Sequence, residues 1–209
     1  MAADEHAGIT READDDATFR SVLDDVVQAV EDEGLPYLAI GGLANATFGR
    51  PRPTKDIDVL VKPEDAERCL KALEAAGFRT ETPKEDWLLK AYKHDVLVDV
   101  IFRIHNSIYL DDDMVARARR HQLKGTTIKV VPAEDFIVMQ ACTHSEDTPH
   151  YWYNALTVIA SSEIDWDYVV RRSSHGPRRV LSLLLYAQSN DLAVPDQVIR
   201  RIYDQIHAV

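Results

Sequence analysis

Cysteine is scarce in this 209-residue chain: there are two, Cys69 and Cys142, on separate helix-like patterns and without metal-ligand spacing. That argues against a disulfide framework or a zinc–thiolate site and leaves two buried free thiols as the expectation. No apolar run approaches the roughly 20 residues of a membrane span. The opening Met1-Ala2-Ala3-Asp4-Glu5-His6 lacks the basic and apolar segments of an export signal, so a cytoplasmic protein with no membrane partner is expected. Gly/Ser linkers, internal repeats and coiled-coil heptads are also missing. Basic charge is short, with 24 Lys and Arg against 35 Asp and Glu for a net −11, which argues against broad electrostatic attachment to nucleic acid. The deficit is local, because residues 1–33 hold eleven acids against Arg11 and Arg20, or −9, leaving −2 for the rest. The clusters Arg117/Arg119/Arg120, Arg171/Arg172 and Arg178/Arg179 read as solvated helix faces, with an RNA acceptor as the alternative.

With 45% hydrophobic residues, the chain can bury one substantial core or two small ones. Residues 1–15 are polar and without apolar period, and are expected to be a disordered acidic tail. Phe19, Val22, Leu23, Val26, Val27 and Val30 recur at three- and four-residue steps, predicting an amphipathic helix ended by Gly34. Tyr37–Ile40 reads as a buried strand, and residues 56–61 as another. Pro63 opens a second helix with a stripe through Ala66, Cys69, Leu70, Leu73 and Ala76. Trp87–Tyr92 and Val96–Phe102 read as a hairpin, and Thr126–Val131 as a further strand. Beyond Pro132 only helical patterns follow, near 133–144, 151–161, 166–173, 177–189 and 196–207. The fold class is α/β (α+β), with a mixed sheet and flanking helices over residues 16–131 and a helical domain over 132–209.

Chemistry concentrates between residues 40 and 61. Gly41 and Gly42 fall at a strand-to-helix turn, where backbone can approach a phosphate and a helix start favours an anion. Asp56 and Asp58, at alternate strand positions, project to one face about 7 Å apart. Asp99 lies in a second strand-like run among apolar residues, where an unpaired carboxylate is costly. If it joins the other two, repulsion at roughly 5 Å is about 3 kcal/mol per pair at an effective dielectric near 20, which calls for a cation. Hard oxygen donors without His or Cys favour Mg²⁺ or Mn²⁺, with a nucleotide completing the shell. Arg50, Arg52 and Lys55, between glycines and acids, are cations that could meet a polyphosphate, while Thr54 suits a backbone-capping hydroxyl. His144, His150, Tyr151, Trp152 and Tyr153 gather ring side chains between helices, either as core or as a base-stacking or acceptor-binding wall.

Gly41-Gly42, the run Arg52-Pro53-Thr54-Lys55-Asp56-Ile57-Asp58-Val59 and Asp99 between apolar residues resemble the signature of the DNA polymerase β-like nucleotidyltransferase superfamily. The resemblance is to its small bacterial members, such as antibiotic adenylyltransferases and toxins of toxin–antitoxin pairs. It implies a nucleotidyltransferase-type sheet and Mg²⁺-dependent transfer of a nucleoside monophosphate from a nucleoside triphosphate, ATP among them, to a hydroxyl, with pyrophosphate leaving. Asp56 and Asp58 would hold metal on the triphosphate. Asp99 would bind metal and take the acceptor proton, while Gly41, Gly42, Arg52, Thr54 and Lys55 would make up the nucleotide-binding set. A small molecule, an RNA end or a protein hydroxyl could accept, and a cognate antitoxin is a partner the resemblance allows. Many relatives have serine at the second glycine, and often a lysine and an aspartate where Gln140 and Asn154 stand. Those two amides motivate the alternative of a catalytically weakened nucleotide-binding module, and a metal-dependent phosphohydrolase using the same acids is a third reading.

Overall fold

The computed structural model describes residues 2–49 and 54–207, with side chains from Asp15 onward, so Arg50 and Arg52 lie outside the described residues. Helix α1 spans Ala2–Asp32. It begins before the apolar pattern from Phe19 and runs through residues 2–15, where the sequence pattern predicts no helix. Ala2, Ala3, Glu5, Ala7, Arg11, Glu12 and Ala13 are residue types that favour helix, and no proline interrupts them. The stripe Phe19, Val22, Leu23, Val26 and Val30 is buried, as its spacing requires.

Strand β1 (Tyr37–Ala39) leads into helix α2 (Gly41–Thr47), and β2 covers Asp56–Val61. Helix α3 (Ala66–Ala75) follows a single 3₁₀ turn opened by Pro63, then come β3 (Arg79–Glu81), β4 (Leu88–Lys93) and β5 (Val96–Ile101). Helix α4 (Asp112–Arg117), β6 (Arg119–Leu123) and β7 (Thr126–Val130) complete the sheet half. The remainder is helical: α5 (Ala133–Thr143), α6 (His150–Ser161), α7 (Trp166–Arg172), α8 (Pro177–Ser189) and α9 (Asp196–His207).

The seven strands run in the order β3-β4-β5-β2-β1-β7-β6. Pairs β2/β5 and β1/β7 are parallel and the others antiparallel, so the sheet is mixed. His94 and Asp95, both at positive φ, make the two-residue turn of the β4–β5 hairpin, a geometry that matches strand twist. One continuous apolar core runs from Phe19 to Ile202 and joins sheet and helices. Both cysteines are buried free thiols. No helix among the described residues is long and apolar enough to cross a membrane.

Arg172 departs from the reading of the arginine pairs as solvated faces. It is 9% exposed, with Nη1 2.5 Å from Asp111 Oδ2 and Nε 2.5 Å from Asp135 Oδ1. Tyr168 donates its hydroxyl to the other oxygen of Asp135 at 2.8 Å. Burial pushes the Asp135 carboxyl up to about 6, against the pull of Arg172 and Tyr168. A buried charge must be paired, and this cluster ties α5 to α7 and to the segment preceding α4.

Candidate active site

Parallel pairing of β2 with β5 sets Asp58 directly opposite Asp99, and antiparallel pairing of β5 with β4 sets Asp99 opposite Lys90. The three side chains form one row across three neighbouring strands, with strand spacings of about 4.8 Å. Asp56 lies two residues before Asp58, on the same face and at the exposed start of β2. The acids interact. Asp58 is pushed up to about 6, by burial first, then by the charge of Asp99, then by that of Asp56. Asp99 has a partner the sequence reading missed: Lys90 Nζ donates to its Oδ1 at 3.0 Å. The signal was available, since a turn centred on His94-Asp95 places residue 90 opposite residue 99.

The glycine turn is shaped by the same carboxylate. Gly41 has φ +56°, and a Cβ there would fall 1.9 Å from Asp58 Oδ2. The Gly42 N–H donates to the Asp58 carboxylate, and the Ile40 N–H to the Asp58 carbonyl at 3.1 Å. At least one N–H of this turn is therefore engaged by a site carboxylate, where the sequence suggested groups open to a phosphate. A Cβ on Gly42 would sit 2.6 Å from Thr54 Oγ1, so Gly42 leaves the room Thr54 occupies. Thr54 itself donates to the Asp56 carbonyl at 3.0 Å, the backbone-capping role its position suggested. Lys55 is exposed beside Asp56.

A cavity of about 600 Å³ opens at this row, lined among others by Gly41, Asp58, Trp87, Asp99, Gln140 and Tyr151. Of the ring cluster between the helices, Tyr151 reaches it; its hydroxyl is held protonated by burial and by the charge of Asp58. His144 instead stacks on Trp152 at 4.5 Å, and Trp152 packs against Tyr186 at 5.3 Å. Gln140 is 6% and Asn154 3% exposed, and Asn154 Nδ2 donates to Gln140 Oε1 at 3.0 Å. A second cavity, about 750 Å³, lies by the start of α5 among Arg117, Arg119, Glu134 and Asp165, and none of the three aspartates lines it.

Among the described residues no three His, Cys, Asp or Glu side chains stand close enough to enclose a metal ion by themselves. The donor chemistry nevertheless suits Mg²⁺. Asp58 and Asp99 face one cavity, their mutual charge raises the Asp58 pKa, and Mg²⁺ takes one or two carboxylates with substrate phosphates supplying the rest.

A family profile described as an uncharacterised nucleotidyltransferase matches residues 9–189. No curated protein matches the sequence. Among solved structures, an antigenic nucleotidyltransferase-like protein from Paracoccidioides brasiliensis is similar at 12% identity and a TM-score of 0.52, over 90% of this chain and 93% of that one. The lincosamide antibiotic adenylyltransferase LnuA, lincomycin-bound, aligns at 15% identity and 0.46, over 66% of this chain and 94% of that one. ANT(2″)-Ia in complex with adenylyl-2″-tobramycin aligns at 18% and 0.46, over 81% and 97%.

Proposed function

Since the chain belongs to the nucleotidyltransferase family, within the polymerase β-like group, we propose that Asp56, Asp58 and Asp99 carry a Mg²⁺-dependent transfer of a nucleoside monophosphate from a nucleoside triphosphate to a hydroxyl. The observation that carries this is the side-by-side register of Asp58 and Asp99 beside the glycine turn, at the mouth of a cavity of substrate size. Asp56, Asp58 and Asp99, together with the triphosphate, would hold Mg²⁺, which would supply charge stabilisation for an in-line displacement. Asp99 accepts the acceptor's proton, and its salt link to Lys90 fixes the direction of one carboxylate oxygen. Gly41 gives Asp58 the space to sit against the turn, and Gly42 holds it there by a backbone hydrogen bond. Thr54 braces the start of β2, and Lys55, with Arg52, meets the phosphates.

Incubating the protein with an α-labelled nucleoside triphosphate, MgCl₂ and cell extract should give a labelled acceptor and pyrophosphate. Asp99→Asn and Asp58→Asn should each lower that transfer by at least 10³-fold, consistent with loss of a central electrostatic group. Orthophosphate in place of pyrophosphate would identify a phosphohydrolase instead. The neutral pair Gln140–Asn154, in place of the charged residues common in related enzymes, favours one second reading, a nucleotide-binding module of the same fold. Saturable triphosphate binding with no pyrophosphate from any acceptor would select it.

A further inference from the structure

The cavity beside the aspartate row is asymmetric. Asp58, Asp99 and Gly41 line it, whereas Gly42, Thr54, Lys55 and Asp56 do not. On the functional reading above, the phosphates lie over the residues left outside, so the cavity extends to the acceptor's side of the reaction. Its walls there offer little further charge, with His105 and Arg103 the basic side chains among the lining residues. Apart from Asp58 and Asp99, no carboxylate lines it, and its one guanidinium, Arg103, is held by Asp86 at 2.5 Å. A polycationic acceptor would find no further counter-charge.

Two groups instead match a flat, neutral ligand. Trp87, 40% exposed, offers an uncovered ring at the rim, while Ile101, Ile104, Phe136 and Met139 supply apolar wall. Gln140 is more than nine-tenths buried and lines the cavity with its carbonyl already occupied by Asn154. Its remaining polar group is the amide nitrogen, the donor that Gln140 can offer to the cavity it lines. An amide N–H facing the cavity is matched by a ligand carbonyl or ring nitrogen.

From this, resting on the transfer reading, we propose that the cavity is the acceptor subsite and takes a ribonucleoside, with its base on Trp87, a base acceptor atom on Gln140 and a ribose hydroxyl toward Asp99. In the reaction the ribose oxygen bonds to the α-phosphorus, the bond from that phosphorus to the bridging oxygen breaks, pyrophosphate leaves with the electron pair, and the hydroxyl proton passes to Asp99. A free nucleoside and the 3′ end of an RNA present the same chemistry.

The test is equilibrium dialysis of the full chain, without triphosphate or metal, against each of the four labelled ribonucleosides, a short single-stranded RNA with a free 3′ hydroxyl, and a polycationic aminoglycoside. Wild type should bind a nucleoside or the RNA more tightly than the aminoglycoside. Trp87→Ala and Gln140→Glu should each weaken that binding at least tenfold, and Trp87→Phe should largely retain it. Gln140→Glu keeps an oxygen that accepts from Asn154 while exchanging the amide donor for an ionisable oxygen, and Trp87→Ala leaves in place the backbone carbonyl that accepts from Phe102 and Arg103, so both variants should fold. Loss of nucleoside binding alone identifies the free nucleoside, and loss of RNA binding alone identifies the RNA end. Tighter aminoglycoside binding, or affinities unmoved by both substitutions, would overturn the subsite. Pyrophosphate release to another acceptor in that case would leave the transfer reading standing, whereas nucleoside binding without any transfer would sink the reaction and keep the subsite.

Discussion

At Asp58 the requirements of folding and of chemistry oppose each other. The carboxylate is packed against Gly41, within the fields of Asp99 and Asp56, and its pKa rises from 3.8 to about 6. A carboxyl that holds its proton more tightly when folded adds stability below the unfolded pKa and loses it as pH rises through the folded one. Metal-free protein should therefore lose on the order of 2–3 kcal/mol from this group between about pH 4 and pH 7, taking roughly 1.4 kcal/mol per pKa unit. Asp58→Asn should remove that loss, raising stability at pH 8 by a comparable amount and flattening the pH dependence, although Asp135, also raised to about 6, keeps part of the slope. Urea melts of both proteins at pH 5 and pH 8 in EDTA measure this, and a less stable Asp58→Asn at pH 8 would mean that the carboxylate is a structural anchor.

Strand pairing turns residues distant in sequence into neighbours. Lys90, Asp99 and Asp58 come from three strands, and the cation stands at one end of the row. Lys90→Met should leave Asp99 facing Asp58 without its compensating charge, costing about 1–3 kcal/mol of metal-free stability at pH 8 for a partly buried pair. Millimolar MgCl₂ should restore more stability to this variant than to wild type, because a cation then replaces the missing charge. Equal magnesium effects in calorimetric melts would show that the metal does not meet Asp99.

Much of this element was legible. Alternation in Asp56–Val61 and Val96–Ile101 gave both strands, and an isolated carboxylate in an apolar run identified Asp99 as needing a partner. Lys90 was hidden because its place beside Asp99 depends on the exact hairpin register, which alternation alone does not fix. Edge strands were harder to see. Strand β6, Arg119-Arg120-His121-Gln122-Leu123, carries the charges that keep an unpaired edge from docking with other chains, and those charges made it look like a solvated helix face. Arg172 was misread in the same way, since an Arg-Arg pair in a helix does not reveal which member turns inward.

Across the whole molecule, the cavity depends on two halves held at a fixed spacing. The sheet brings Asp58, Asp99 and Trp87, and α5 and α6 bring Gln140 and Tyr151. Helix α5 is buried on nearly every side and so has no solvent face to tolerate tilting. Its first turn is fixed by the Asp135–Arg172–Asp111 cluster, and its last turns carry Gln140 into the cavity. Arg172→Met should cost about 3–5 kcal/mol, because it strands the Asp135 carboxylate in the core. The double variant Arg172→Met/Asp135→Leu should recover much of that loss, since an apolar pair of similar size removes the unpaired charge. If α5 also sets the cavity width, the single variant should raise KM for the acceptor more than it lowers kcat, as Gln140 and Tyr151 drift from a sheet that stays intact. Urea denaturation gives the stabilities and steady-state transfer assays the kinetic split; a variant that loses stability with both constants unchanged would separate the buried cluster from the geometry of the site.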